Sequence, residues 1–267
     1  MKSRNRQGRS GKLVFTVQHL GVMLLTFAVI VGVIGYSNDH PEGFDLRTFL
    51  HEYYTNISTE LVSIATAVLI IDALNRRRDE AQEERREREE LSRKIGSKVN
   101  EVARQAAEDL RAKGWLLDGT LQESDLRAAN LDEADLYMAD LQGVNLQWAS
   151  LIKASLKKSN FVGANLSNTK AWGSKCYKAD MRGINFESAM LFRADLTGAD
   201  LSEANFTRAN LDGAIFKDAN LKGANFTDAI FVDTVRPGDK SVTLPDGSFW
   251  EPGCDIGRFT NPDHPSF

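Results

Sequence analysis

An apolar residue returns at every fifth position from Leu121 to Phe231, and very few folds accept that spacing. It runs Leu121, Leu126, Leu131, Leu136, Leu141, Leu146, Leu151, Leu156, Phe161, Leu166, Ala171, Cys176, Met181, and on from Phe186 to Phe231, 23 centres in one phase. A helix repeats at 3.6 and a strand at 2, so neither places these centres on one face. A short fixed period held for a hundred residues marks a solenoid, whose units bury a core only by stacking on their neighbours. Two residues before most centres stands a small residue, as in Ala129, Ala134, Ala139 and every fifth position from Ala189 to Ala229. Between the two stands Asp or Asn at most repeats.

This motif, Ala-(Asp/Asn)-Leu/Phe-x-x, resembles the pentapeptide-repeat family across 121–231. The resemblance implies a mainly β architecture, a right-handed quadrilateral β-helix with one pentapeptide per side and twenty residues per coil. The central residue and the small one before it then point inward. Sorting the sequence in twenties gives four columns. Two are uniformly large inside, whereas Ala171 interrupts a third between Leu151 and Leu191, and Cys176 a fourth between Leu156 and Leu196.

The 42% hydrophobic composition averages over unlike segments. Residues 1–12 are basic, and 13–75 read as a two-span transmembrane hairpin. Leu13 to Tyr36 is a 24-residue apolar run, long enough to cross a bilayer and read as an anchor in preference to a cleaved signal peptide. Residues 37–56 form a polar loop, and Ile57 to Asn75 is the second expected span, followed by Arg76, Arg77 and Arg78. The positive-inside rule then predicts a bacterial inner-membrane protein with both termini in the cytoplasm. Glu60 and Asp72 lie near the ends of that span, where an Asp72–Arg76 pair is the plain reading and an ion path the bolder one.

Residues 76–114 alternate in charge and predict a solvated helix that stops at Gly114. Its apolar seam of Leu91, Ile95, Val99, Val102, Ala106 and Leu110 suits either of two roles. It can cover the open first coil of the solenoid, or it can form a parallel coiled coil joining two subunits. Residues 115–231 are the repeat domain. Residues 232–267 read as a capping hairpin and tail, with a turn at Pro245-Asp246-Gly247 and Leu244, Phe249, Trp250, Ile256 and Phe259 to plug the last coil.

Charge along the repeats is banded. Residues 118–140 hold seven acids and one base, and residues 153–182 hold seven bases (Lys153, Lys157, Lys158, Lys170, Lys175, Lys178, Arg182) and one acid, Asp180. Just after the inward position one column reads Asp132, Ile152, Trp172, Phe192, Asp212. At the usual 4.8 Å strand spacing Ile152, Trp172 and Phe192 form a contiguous stack. Tyr177 stands on the adjoining side, with Lys170, Lys175 and Lys178 nearby. This is the candidate interaction patch, against the alternative that Trp172 leans into the gap left by Ala171.

No catalytic constellation emerges. His19, His40, His51 and His264 are scattered, no glycine loop or nucleophile motif is present, and Cys176 reads as a core residue. The chain is therefore read as a non-enzyme without cofactor, metal or small-molecule substrate. The leading expectation is a membrane-anchored scaffold whose partner is another protein or a second copy of itself. One alternative is the DNA-mimic regulation of topoisomerase known for some pentapeptide-repeat proteins. Against it, 15 acids and 12 bases over 116–231 make a nearly balanced rod, so no nucleic-acid role is expected. The other alternative is a channel- or transport-associated subunit assembled around Glu60.

Overall fold

The structure is a computed structural model describing residues 26, 30, 33–34, 36–38, 41–230, 243–248 and 257–260, with backbone only for 51–62 and 65. By internal contacts the chain divides into two compact units, Met1–Glu80 and Ala81–Phe267.

The first unit contains most of helix α1, Leu46–Ile95. Asp45 caps its start, accepting from the Arg47 amide (3.0 Å) and the Thr48 hydroxyl (2.7 Å). The bond from Thr48, followed by that from Arg47, holds the Asp45 carboxyl below its usual range. Tyr36 sits edge-on against Phe44 and Phe49 with ring centroids 5.5 and 5.3 Å apart. The polar loop expected over 37–56 is thus helical from Leu46 onward.

Among the described residues no helix is long and apolar enough to cross a membrane, which overturns the expected two-span placement in a bacterial inner membrane. The reason is legible within α1. Its run of apolar and small residues, with Ser63 and Thr66 inside it, extends only from Leu61 to Ile71, closed by Glu60 and Asp72. At 1.5 Å per residue that covers about 16 Å, roughly half of the ~30 Å hydrocarbon core. Asp72 pairs with Arg76 at 2.7 Å. The other expected span, 13–36, falls outside the described residues apart from a few positions, as do residues 1–12.

In the second unit α1 ends at Ile95, the chain turns over Gly96–Val99, and α2 follows as Asn100–Ala112. The single helix expected over 76–114 is therefore broken. A Cβ at Gly96 would stand 3.5 Å from Leu126 and 3.9 Å from the Asp125 carbonyl, ordinary contact distances that place the turn directly against the first coil. The Ser97 carbonyl accepts from the Asn130 amide at 2.8 Å. The helix stop at Gly114 holds: this residue adopts φ +75°, its amide donates to Arg111 O and the Trp115 amide to Leu110 O. That is a Schellman ending, in which the left-handed residue satisfies the last carbonyls.

From Leu121 the chain winds as a four-sided coil of twenty residues. Its register is fixed by parallel bridges between residues twenty apart, such as Asp125 with Asn145, Asn145 with Asn165, and Lys170 with Met190. Each side contributes a single bridge residue, and among the described residues no longer strand forms. Corners are turns closed by bonds such as Ala129 N to Leu126 O, with a left-handed residue two after each centre, as at Ala128, Lys153 and Gly163. A positive φ at this position is the mark of a type II turn. Asn or Asp before the centre caps the corner: Asn145, Asn165, Asp195 and Asn205 each accept from the amide two residues on.

The core is one continuous cluster from Leu91 to Leu244, with Phe186, Phe206 and Phe226 stacked at 5.4 and 4.8 Å. Cys176 is buried within it. Its top is closed by Leu91, Ile95, Ala103, Ala106, Ala107 and Leu110, and ion pairs fasten this cover: Arg88–Asp118 (2.9 Å), Lys113–Glu87 (2.8 Å) and Arg111–Asp135 (3.2 Å). At the other end Thr243 pairs with Asn220, Leu244 is buried, and Phe259 packs on the core. Phe249, Trp250 and Ile256 lie outside the described residues.

Candidate functional site

The interior positions are uniform, so distinguishing chemistry has to lie on the outer sides. We number the sides by their first centres, side 1 at Leu121 through side 4 at Leu136. Side 3 presents two outward columns. Before the centres run Asn130, Ser150, Lys170, Met190, Asn210 and Ile230, and after them Asp132, Ile152, Trp172, Phe192 and Asp212. Here the capping rule lapses: Lys170 and Met190 replace Asn or Asp, so the Trp172 and Phe192 amides lack the side-chain acceptor their counterparts enjoy. Departures from a local rule gather where a surface serves something other than folding.

The two columns enclose a shallow groove of about 580 Å³ lined by Ile152, Trp172, Met190 and Phe192, with Lys170 and Arg208 at its margin. Trp172 is 44% exposed and Met190 52%, whereas Ile152 and Phe192 are half-buried. Trp172 therefore does not fill the volume beside Ala171. In that pentad the position two before the centre carries Thr169, fully buried and bulkier than the usual alanine, with its hydroxyl donating to Leu166 O at 2.8 Å.

Four of the expected patch residues, Ile152, Lys170, Trp172 and Phe192, thus meet in one groove. Tyr177, Lys175 and Lys178 do not line it. They belong to side 4, where the Lys178 ammonium lies 5.3 Å from the Tyr177 ring. Met190 and Arg208 were missed, although Met190 betrays itself as an apolar residue in a capping position. Trp148, 58% exposed at the corner leading into side 3, was also missed. In the seam, Leu91, Ile95 and Leu110 are buried within the chain's own cover, while Val99 and Val102 remain exposed.

Cations crowd the groove. The Arg193 guanidinium lies 4.7 Å from the centroid of the Phe192 ring, and the Lys153 stem passes beside Gly173, next to Trp172. Arg208 is paired with Glu187. Among the described residues, Arg182 alone in the basic band forms an ion pair, with Asp180 at 2.8 Å. Its six lysines have no carboxylate within ion-pair distance among the described residues. A second groove, about 550 Å³ beside Arg88 and Asp118, is lined by groups already bonded to one another. Among the described residues no group of three or more His, Cys, Asp or Glu could hold a metal ion.

A stacked, four-sided solenoid with differentiated faces is a repeat protein, and comparison names the repeat. Eight copies of the family model "Pentapeptide repeats" match between residues 119 and 228, so this stretch is built of pentapeptide repeats, whose known structures are right-handed quadrilateral β-helices. Solved structures of the same kind resemble it. HetL, a pentapeptide repeat protein involved in heterocyst differentiation regulation from the cyanobacterium Nostoc, is 28% identical over 48% of this chain and 75% of its own, with a TM-score of 0.31. A pentapeptide repeat protein of the Arabidopsis thaliana thylakoid lumen is 26% identical over 52% and 75%, TM-score 0.25. QnrB1, a plasmid-mediated fluoroquinolone resistance protein, is 18% identical over 49% and 81%, TM-score 0.28. No curated protein matches the chain.

Proposed function

We propose that this protein is a non-catalytic scaffold whose rigid solenoid presents side 3 to another protein. The observation that carries this reading is the groove of Ile152, Trp172, Met190 and Phe192. These are four large apolar side chains held outward and brought together on one side, where the other outward positions carry mostly polar residues and isolated apolar ones such as Val162 and Ile215. Anchors of this kind, aromatic and ringed by polar groups, dominate the energetics of protein interfaces. Both ends of the core are covered from within the chain, which leaves the sides as the surfaces on offer. The unpaired lysines are the reverse of the acidic rod that DNA mimicry requires.

The test is site-specific photo-crosslinking in cells with the full chain, from a reactive amino acid at position 172. Gln142, exposed on side 1 of the preceding coil, serves as control. A discrete protein adduct at 172 and none at 142 is expected. Equal labelling at both positions, or none at 172, overturns the reading.

A further inference from the structure

We infer that the ligand of side 3 is a short acidic segment carrying an apolar anchor residue, contributed by a different protein. This rests on the proposal that side 3 binds protein and adds the chemistry of what binds. Three observations converge. First, the groove floor is apolar, so it needs a side chain to exclude water from Trp172 and Met190. Second, apart from Arg208, which pairs with Glu187, the cations around the groove have no carboxylate partner among the described residues. Lys170 lines the groove, the Lys153 stem lies beside Gly173, and Arg193 rests on the Phe192 ring, and none of them forms an ion pair among the described residues. An incoming carboxylate would meet positive charge that is exposed and free to pair.

Third, the basic belt is short. It occupies one and a half coils, and acids bracket it along the rod. Seven stand against one base over 118–140, and seven against four over 183–231. At ~4.8 Å per coil the positive strip is roughly 7 Å tall, room for one extended segment laid across the rod. A long polyanion such as a nucleic acid would run from the belt into like charge within a coil or two, so the geometry favours a peptide. A second copy of this chain is disfavoured as well. A two-fold pairing of side 3 would set Lys170, Lys153 and Arg193 against their own copies, like charge facing like.

The experiment uses the purified full chain and labelled probes read by fluorescence anisotropy. The first probe is a short peptide of Asp and Glu flanking a Leu-Phe pair. The second keeps the acids and replaces Leu-Phe by serines, the third keeps Leu-Phe and replaces the acids by lysines, and the fourth is single-stranded DNA of similar length. The first probe binds, and the other three bind at least about tenfold more weakly. Trp172→Ala and Lys170→Glu, both at exposed positions, each weaken the first probe about tenfold while the melting temperature stays within a few degrees. Equal binding of the acidic probe without its anchor, tighter binding of DNA, or affinity unchanged by both substitutions overturns the inference. So does a concentration-dependent dimer, seen by sedimentation, that is abolished by Trp172→Ala. If position 172 still crosslinks to a protein while these arms fail, side 3 remains a protein-binding face and only its acidic ligand is lost. If neither holds, both fall.

Discussion

Burial decides the behaviour of Cys176. Removed from water, its thiol is pushed up to about 12 from an ordinary 9.0, with the Ser174 hydroxyl lowering it slightly. The thiolate is the reactive form, so in a Cys254→Ala background Cys176 should resist alkylation at pH 8 until the protein unfolds. The sign for stability follows from proton counting. Between pH 9 and 12 the folded thiol keeps its proton and the unfolded one loses it, so stability falls as pH rises, by about 1.4 kcal/mol per pH unit from this group. Urea melts against Cys176→Ala isolate that slope; parallel pH profiles would show the thiol to be less buried. Lys170 behaves in the opposite sense. Replacing it by Asn restores the corner cap to the Trp172 amide and should raise stability by about 0.5–1 kcal/mol, read from the urea midpoint, while weakening the acidic probe. At this scale the sequence was informative wherever a position could be assigned to a column. Cys176 read correctly as core, and Ile152, Trp172 and Phe192 as neighbours. Met190 is legible only as a departure from the Asp or Asn that precedes most centres, in the second outward column of the side.

Among the elements, α2 owes its place to the coil beneath it. Its buried face is mostly alanine, and Leu110 is the one large side chain it inserts. Leu110→Ala should therefore cost about 2–5 kcal/mol, and it should raise hydrogen exchange first in the coils nearest the cover. A uniform increase along the whole rod would mean that the cover does not act locally. The cover was half legible: the seam spacing fitted both a cap and a coiled coil, and the open first coil settled the matter for Leu91, Ile95 and Leu110. The break at Gly96–Val99 was not legible, because the seam passes through Val99 with helical spacing, and contact with Asn130 and Asp132 on the first coil helps to hold the turn. There the Asn100 side chain donates to the Asp132 carbonyl at 2.9 Å. The second expected span, Ile57 to Asn75, misled for a different reason. Window composition rated the segment around Leu61–Ile71 by its apolar content, whereas crossing a bilayer requires length between charges.

For the molecule as a whole, the unbroken frame of five works as a system of addresses. Twenty residues return the chain to the same side, so inserting twenty adds one coil and leaves every column intact. Five inserted residues pass the same steric test and close the same corners, yet they carry everything downstream one side around the rod. Placed between Ile152 and Trp172, such an insertion would keep each pentad well formed and put the two residues on different faces, dividing the groove without unfolding anything. Inheritance can thus rewrite what this surface displays in units that folding does not notice, and the placement of Trp172 one coil below Ile152 is a matter of arithmetic as much as of packing.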